Sequence, residues 1–150
     1  MLKVGDKAPA FSLPSDTGET LSLKDFQGKR VILYFYPKDL TSGCTVQACD
    51  FRDAQANFKK KKVVILGVSK DPLKKHEAFR KKHDLNFPLL SDEGEKICEK
   101  YGVWKEKSMY GRKYMGIERT TFVISPDGKI EHIFNKVKVS NHVDTLLGLF

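Results

Sequence analysis

The chain alternates between short unbroken apolar runs and longer stretches in which apolar residues recur at helical spacing. Val31-Ile32-Leu33-Tyr34-Phe35-Tyr36 is a continuous run of β-formers, the pattern of a strand covered on both faces. Pro37 ends it, because proline cannot donate to a ladder. A polar loop, Lys38 to Gly43, leads into a helical segment from about Cys44 to Lys59, where Gln47, Phe51, Ala54 and Phe58 line one largely apolar face. Thr41 or Ser42 can cap its start. Val63 to Val68 predicts a second buried strand, and Pro72 heads a charged helix ending near His83. Phe87-Pro88-Leu89-Leu90 predicts a short strand, and Asp92-Glu93-Gly94-Glu95 opens a helix through Tyr101.

Two hairpins frame this series. Ala10 to Leu13 and Thr20 to Ser22 flank the turn residues Ser15-Asp16-Thr17-Gly18. Thr120 to Ser125 and Lys129 to Phe134 flank Pro126-Asp127-Gly128. A final helix covers Val143 to Leu149. Strands alternating with helices, then a hairpin and a helix, predict an α/β fold with a central mixed β-sheet flanked by helices and an N-terminal β-hairpin extension. That order matches a thioredoxin-like fold. With 150 residues and no internal repeat or linker-like stretch, residues 1–150 are expected to form a single domain. A chain of this size buries roughly two-thirds of its unfolded surface and needs neither disulfide nor metal to fold.

Charge changes the picture less than its size suggests. The net charge of +8 invites a nucleic-acid or acidic-lipid partner. The lysines are scattered, however, and the densest run, Lys59 to Lys62, lies between a helix and a strand with no aromatic residue interleaved. A solvated surface is the reading that follows, with no specific nucleic-acid partner. The opening residues, Met1 to Asp6, contain no apolar leader core, and no apolar run approaches membrane-spanning length. A cytoplasmic protein without a membrane partner is therefore expected.

Three cysteines form an odd set, which argues against a secreted disulfide scaffold. Cys-x-x-Cys is absent, so no zinc knuckle or dithiol redox motif of that kind is available. His76, His83, His132 and His142 show no ligand spacing around the cysteines. What remains is Cys44-x-x-x-x-Cys49, with Cys98 isolated in a predicted helix where packing is the simplest role.

The segment around Cys44 carries chemistry. A cysteine in the first turn of a helix faces unpaired backbone N–H groups and the positive end of the macrodipole, and both favour thiolate over thiol. Thr41, three residues earlier, can hydrogen-bond the sulfur or a bound oxygen. Gly43 lets the backbone approach a small ligand closely. A lone cysteine near a helix start is more simply a buried hydrophobe. The neighbouring threonine, glycine and second cysteine reverse that preference.

Here a resemblance becomes specific. Pro37-x-x-x-Thr41-x-x-Cys44 resembles the peroxiredoxin signature. The wider Phe35 to Asp39 and Gly43 to Asp53 segments resemble the bacterioferritin comigratory protein, or peroxiredoxin Q, subgroup. Val4 to Phe11, Tyr101-Gly102-Val103-Trp104 and Arg119 to Ile124 are similar to other segments of that family, so the likeness spans nearly the whole chain. It implies a thioredoxin-like peroxidase that reduces hydrogen peroxide and organic hydroperoxides, with Cys44 as the peroxidatic cysteine and Pro37, Thr41 and Arg119 completing the site. It further implies that Cys49 resolves the sulfenic acid through an intramolecular Cys44–Cys49 disulfide, recycled by thioredoxin or a similar dithiol protein. The expected enzyme uses no cofactor (neither metal, haem nor flavin) and is a monomer or weak dimer. Two residues depart from the family pattern. Ser42 stands where proline is usual, and Gln47 where glutamate is usual, one turn beyond the nucleophile. The competing classes are a general protein disulfide oxidoreductase, disfavoured by the missing Cys-x-x-Cys, and a non-enzymatic basic nucleic-acid-binding domain.

Overall fold

The structure is a computed structural model and describes residues 1–150. β1 (Ser12–Pro14) and β2 (Thr20–Ser22) form the expected N-terminal hairpin, with Leu13 opposite Leu21. Its turn is anchored from a distance. Asp16 accepts from the Leu89 N–H (3.0 Å) and pairs with Arg80, so the hairpin is tied to the body of the fold. A short 3-10 turn, Leu23–Phe26, follows.

β3 (Arg30–Phe35) begins one residue before the apolar run, and Tyr36 lies just beyond it, its N–H still donating to the Val68 carbonyl (3.0 Å). α1 (Ser42–Lys60) is a single long helix that buries Cys44, Gln47, Ala48, Phe51 and Phe58. β4 (Val63–Ser69), α2 (Leu73–His83) and β5 (Leu89–Ser91) come next, as the apolar pattern indicates. α3 (Lys96–Lys100) is shorter than the sequence suggests. Asp92 to Glu95 form a turn rather than a first helical turn. Its cause is the Asp92 carboxylate, which accepts from the N–H groups of Ile97 (3.3 Å) and Cys98 (2.8 Å) and so fixes the helix start further along.

β6 (Trp104–Met109) and β7 (Arg112–Ile117) make a hairpin that the apolar pattern does not predict. Most of its residues are exposed, so no buried face imposes a two-residue alternation. The available signal is the turn itself. Tyr110 and Gly111 both adopt positive φ (51° and 78°), the conformation of the two-residue hairpin turns that favour glycine. β8 (Thr120–Ile124), β9 (Ile130–Phe134) and α4 (His142–Leu147) complete the chain.

The main sheet has the order β5-β4-β3-β8-β9, parallel through β5, β4 and β3 and antiparallel through β8 and β9. Its mixed character confirms the expected α/β, thioredoxin-like arrangement. β3 is central, and alternate residues feed two separate cores. Val31, Leu33 and Phe35 join Phe11, Tyr101, Phe122 and the α3 residues on one face. Ile32, Tyr34 and Tyr36 join Cys44, Phe51, Phe58, Phe79 and the α4 residues on the other. Tyr34 stacks on Phe51 with ring centroids 4.6 Å apart, which fixes α1 against the sheet. Burying one such ring contributes on the order of 2–3 kcal/mol relative to leaving it in water. No helix is long and apolar enough to cross a membrane.

Candidate active site

The fold brings together residues far apart in sequence at one end of β3. Thr41 is the N-cap of α1, with extended backbone (φ −84°, ψ 157°), which makes Cys44 the third residue of the helix. The Cys44 side chain lies in the first turn, where backbone N–H groups have no partner within the helix. It is only 2% exposed. β8 runs antiparallel to β3 with Thr120 opposite Phe35, and this register sets Arg119, immediately before β8, beside the start of α1.

The Arg119 guanidinium bridges two turns of α1. Its Nη2 donates to Cys44 Sγ (3.3 Å) and its Nη1 to Gln47 Oε1 (2.7 Å). A positive, multiply donating group against the sulfur stabilises negative charge there and offers fixed donors to an incoming oxygen. Gly43 eases this approach, since a Cβ at that position would lie 3.3 Å from Arg119 Nη2 and the guanidinium would have to give by a few tenths of an ångström.

The other site residues expected from sequence fall nearby, with differences. Pro37 is half-buried, following β3 and Tyr36. Thr41 is exposed, and its hydroxyl donates to the Lys38 carbonyl (2.8 Å) rather than to the sulfur or to the helix N–H groups. Its lone pairs stay open, but a contact from its proton to sulfur or peroxide oxygen requires a hydroxyl rotation. Ser42 is the first helical residue and does not serve as the cap. Cys49 lies on the same unbroken helix, partly exposed, and all three cysteines are free thiols. Five residues along an α-helix rise about 7.5 Å, so the two Cα atoms stand about 8–9 Å apart, beyond the roughly 7 Å that a disulfide spans. Cys98 is fully buried, and burial together with Asp92 pushes its thiol far up.

Four residues around this centre are not evident from the sequence reading. Tyr34 is buried beneath α1, with its hydroxyl unpartnered and its acidity suppressed first by burial and then by the charge of Cys44. His142, at the start of α4, meets the Thr121 hydroxyl through Nε2 (2.9 Å). Burial, reinforced by the Arg119 charge, lowers its pKa to about 4, so its ring is neutral near pH 7. Lys107, on the unpredicted hairpin, is pulled down by burial and by Arg119 and pushed up by Cys44 and Glu118, which makes it a second cation near the sulfur. His76 forms a buried pair with Asp39. None of the four has a local sequence signature; pairing through the sheet and the hairpin is what brings them here. No group of three His, Cys, Asp or Glu side chains is arranged to hold a metal ion.

A thiol held in a helix first turn against a guanidinium, on a thioredoxin-like frame, defines a class of thiol-dependent redox enzyme. Residues 4–133 match the AhpC/TSA family, and the chain belongs to that family, the peroxiredoxins, which makes it a thiol-dependent peroxidase. It is 55% identical to peroxiredoxin Bcp of Escherichia coli (strain K12) over 146 residues, covering 97% of this chain and 94% of that one. It is 49% identical to peroxiredoxin Bcp of Bacillus subtilis (strain 168) over 142 residues, covering 95% and 90%. Among solved structures, the bacterioferritin comigratory protein of Xanthomonas campestris, described in terms of alkyl peroxide reduction, superposes with a TM-score of 0.88 at 41% identity, covering 93% of this chain and 88% of that one. A cysteine-to-serine mutant of Xylella fastidiosa PrxQ superposes with a TM-score of 0.94 at 33% identity, covering 99% and 95%.

Proposed function

We propose that Cys44 is the peroxidatic nucleophile of this peroxidase, that Arg119 and Gln47 hold it and orient the peroxide, and that Cys49 resolves the product. The observation that carries the assignment is the Arg119 guanidinium contacting Cys44 Sγ (3.3 Å) and Gln47 Oε1 (2.7 Å) at once. In the first step the Cys44 thiolate attacks one oxygen of the hydroperoxide and the O–O bond breaks. The sulfur becomes a sulfenic acid, and the other oxygen leaves, protonated, as water or an alcohol. Charge passes from sulfur to the leaving oxygen, within reach of the guanidinium and the first-turn N–H groups. Pro37, half-buried where the loop leaves the sheet, restricts solvent at the sulfenate, and Thr41 supplies a further donor when its hydroxyl turns from Lys38. In the second step the Cys49 thiolate attacks the sulfenic sulfur, the S–S bond forms as the S–O bond breaks, and the departing hydroxide takes a proton from solvent to become water. A dithiol protein of the thioredoxin type then returns two electrons. Scattered rather than clustered lysines support a protein that works without nucleic acid, and the reading extends to a monomer or weak dimer in the cytoplasm.

Stopped-flow measurement of a single turnover tests the division of labour. Cys44→Ser is expected to abolish peroxide consumption. Cys49→Ser consumes one equivalent rapidly and then stalls as a sulfenic acid that a dimedone-type probe traps. Equal peroxide reactivity in the two variants overturns the assignment.

A further inference from the structure

The segment joining β3 to α1 carries Pro37 and Thr41, yet little backbone bonding holds it in place. Leu40 within it adopts a positive φ of 65°, unfavourable for a residue with a branched side chain. Something else keeps the segment in position, and the structure supplies it in a buried polar cluster beneath the loop. Asp39 (4% exposed) points inward rather than to solvent. Its Oδ1 accepts from the Tyr36 hydroxyl (2.6 Å), and its backbone N–H donates to Asp71 Oδ2 (2.7 Å). Its Oδ2 lies 2.5 Å from Nδ1 of His76, a residue of α2 with no exposed surface. On the far side of the ring, His76 Nε2 meets the Leu90 carbonyl of β5 (2.9 Å).

The proton count follows from these partners. A carbonyl only accepts, so Nε2 carries a proton. A carboxylate already accepting from tyrosine can face Nδ1 at 2.5 Å only if a second proton lies between them. Removing that proton would set a buried carboxylate against a ring lone pair, and the two could only separate.

We propose that the Asp39–His76 pair is a positioning device for Cys44: its shared proton keeps the Pro37–Thr41 segment and the first turn of α1 in the peroxide-reactive arrangement, and loss of that proton in alkali releases them toward the unwound arrangement in which Cys44 and Cys49 join. The proposal rests on the roles given above to those two cysteines. His76 faces Tyr36 and Asp39 from the β3–α1 segment, Asp71 from the end of β4, and the Leu90 carbonyl from β5. Asp71 is itself held by Ser69 (3.0 Å), while Asp92 is turned away to the N–H groups of α3. Burial alone would lower the pKa of His76. The hydrogen bond and charge of Asp39, with the Leu90 carbonyl and Asp71, outweigh it and raise the pKa above the ordinary 6.5. A histidine raised on folding contributes fully below its unfolded value, and that contribution is lost as pH rises through the folded one. The device is therefore set at neutral pH and opens on the alkaline side.

The test compares the wild type with the double variant Asp39→Ala/His76→Leu, which removes both charges together and takes from the neutral Tyr36 hydroxyl and Leu90 carbonyl only the partners those two side chains supplied. Peroxide attack and disulfide closure are followed separately by stopped flow across neutral to alkaline pH. In the wild type, attack is expected to slow by about tenfold through the alkaline limb while closure accelerates, the scale of one charge-assisted hydrogen bond. The double variant lacks both trends. Titration of Lys107 or of the peroxide itself is common to both proteins and cancels. Should the double variant fail to fold, Asp39→Asn serves: without the carboxylate the limb moves to lower pH. Nitrogen-15 NMR of the wild type is expected to show both His76 nitrogens protonated at pH 7. An identical alkaline limb in the variants, or a bare His76 nitrogen at pH 7, overturns the proposal. Peroxide consumption that survives Cys44→Ser strikes instead at the cysteine assignment on which it rests.

Discussion

At Gln47 an amide stands where the peroxiredoxins resembled by this chain usually carry a carboxylate, and the consequence is readable in its contacts. Oε1 accepts from Arg119, while Nε2 is buried without a partner. The guanidinium is thus oriented by Gln47 without being neutralised by it, which leaves more of its positive field for the sulfur. Gln47→Glu is expected to draw that charge toward the helix and to slow peroxide attack by about three- to tenfold. Arg119→Met removes donor and charge together, and about a hundredfold loss is expected, the scale of losing one positioned donor to a developing charge. Second-order rate constants with hydrogen peroxide, measured over a single turnover, check both. A Gln47→Glu enzyme as fast as the wild type would place the charge balance elsewhere, with Lys107 the next group to vary.

At the scale of the element, α1 presents a conflict. Its regular geometry places Cys44 against the Arg119 guanidinium but holds Cys49, the proposed partner, too far away to bond. Closure must unwind at least the first turn, and Phe51, stacked on Tyr34, is where unwinding meets fixed packing. Oxidation to the disulfide is therefore expected to accelerate hydrogen exchange chiefly from Thr41 to Phe51, leaving Phe58 to Lys60 protected. Peptide-resolved mass spectrometry of the reduced and disulfide forms measures this. Equal protection in both forms means that the two cysteines do not pair within one chain. Elements of this kind differ in how far sequence reveals them. The buried run Val31 to Tyr36 and the apolar face of α1 are patterned by burial, so their positions can be read to within a residue or two. β6 and β7 bury little and leave no pattern, and Lys107 was hidden with them. Cys44, Cys49 and Arg119 could be picked out because motif and chemistry coincide. The Asp39–His76 and Thr121–His142 contacts could not, since each depends on sheet register joining distant segments.

For the whole molecule, two buried histidines give stability opposite slopes with pH. His142 is held neutral, its pKa lowered to about 4 by burial and by the Arg119 charge. An unfolded histidine takes a proton below about 6.5, so the stability that depends on this neutral ring is present above that pH and is lost as pH falls toward 4. At pH 5 the loss from this one group is on the order of 2 kcal/mol. His76 runs the other way, strongest in acid and weakening in alkali. Urea unfolding of the reduced protein between pH 5 and 7.5 is expected to show a midpoint that rises with pH, and His142→Gln flattens that rise. An unaltered slope in His142→Gln would assign the acid sensitivity to the carboxylates.

Cys98 has a further consequence. It sits in the core opposite the active helix, wholly enclosed beside Phe122 and Tyr101, its thiol kept protonated by burial and by Asp92. Alkylation there must wait for the sheet's second face to come apart, whereas Cys49 is partly open in the folded state and Cys44 needs only the first turn of α1 to loosen. Three thiols of one chain thus record three depths of opening. After a timed pulse of iodoacetamide, fragment masses that locate the alkylated cysteine count surface exposure, local breathing and global rupture in the same sample, with no substitution.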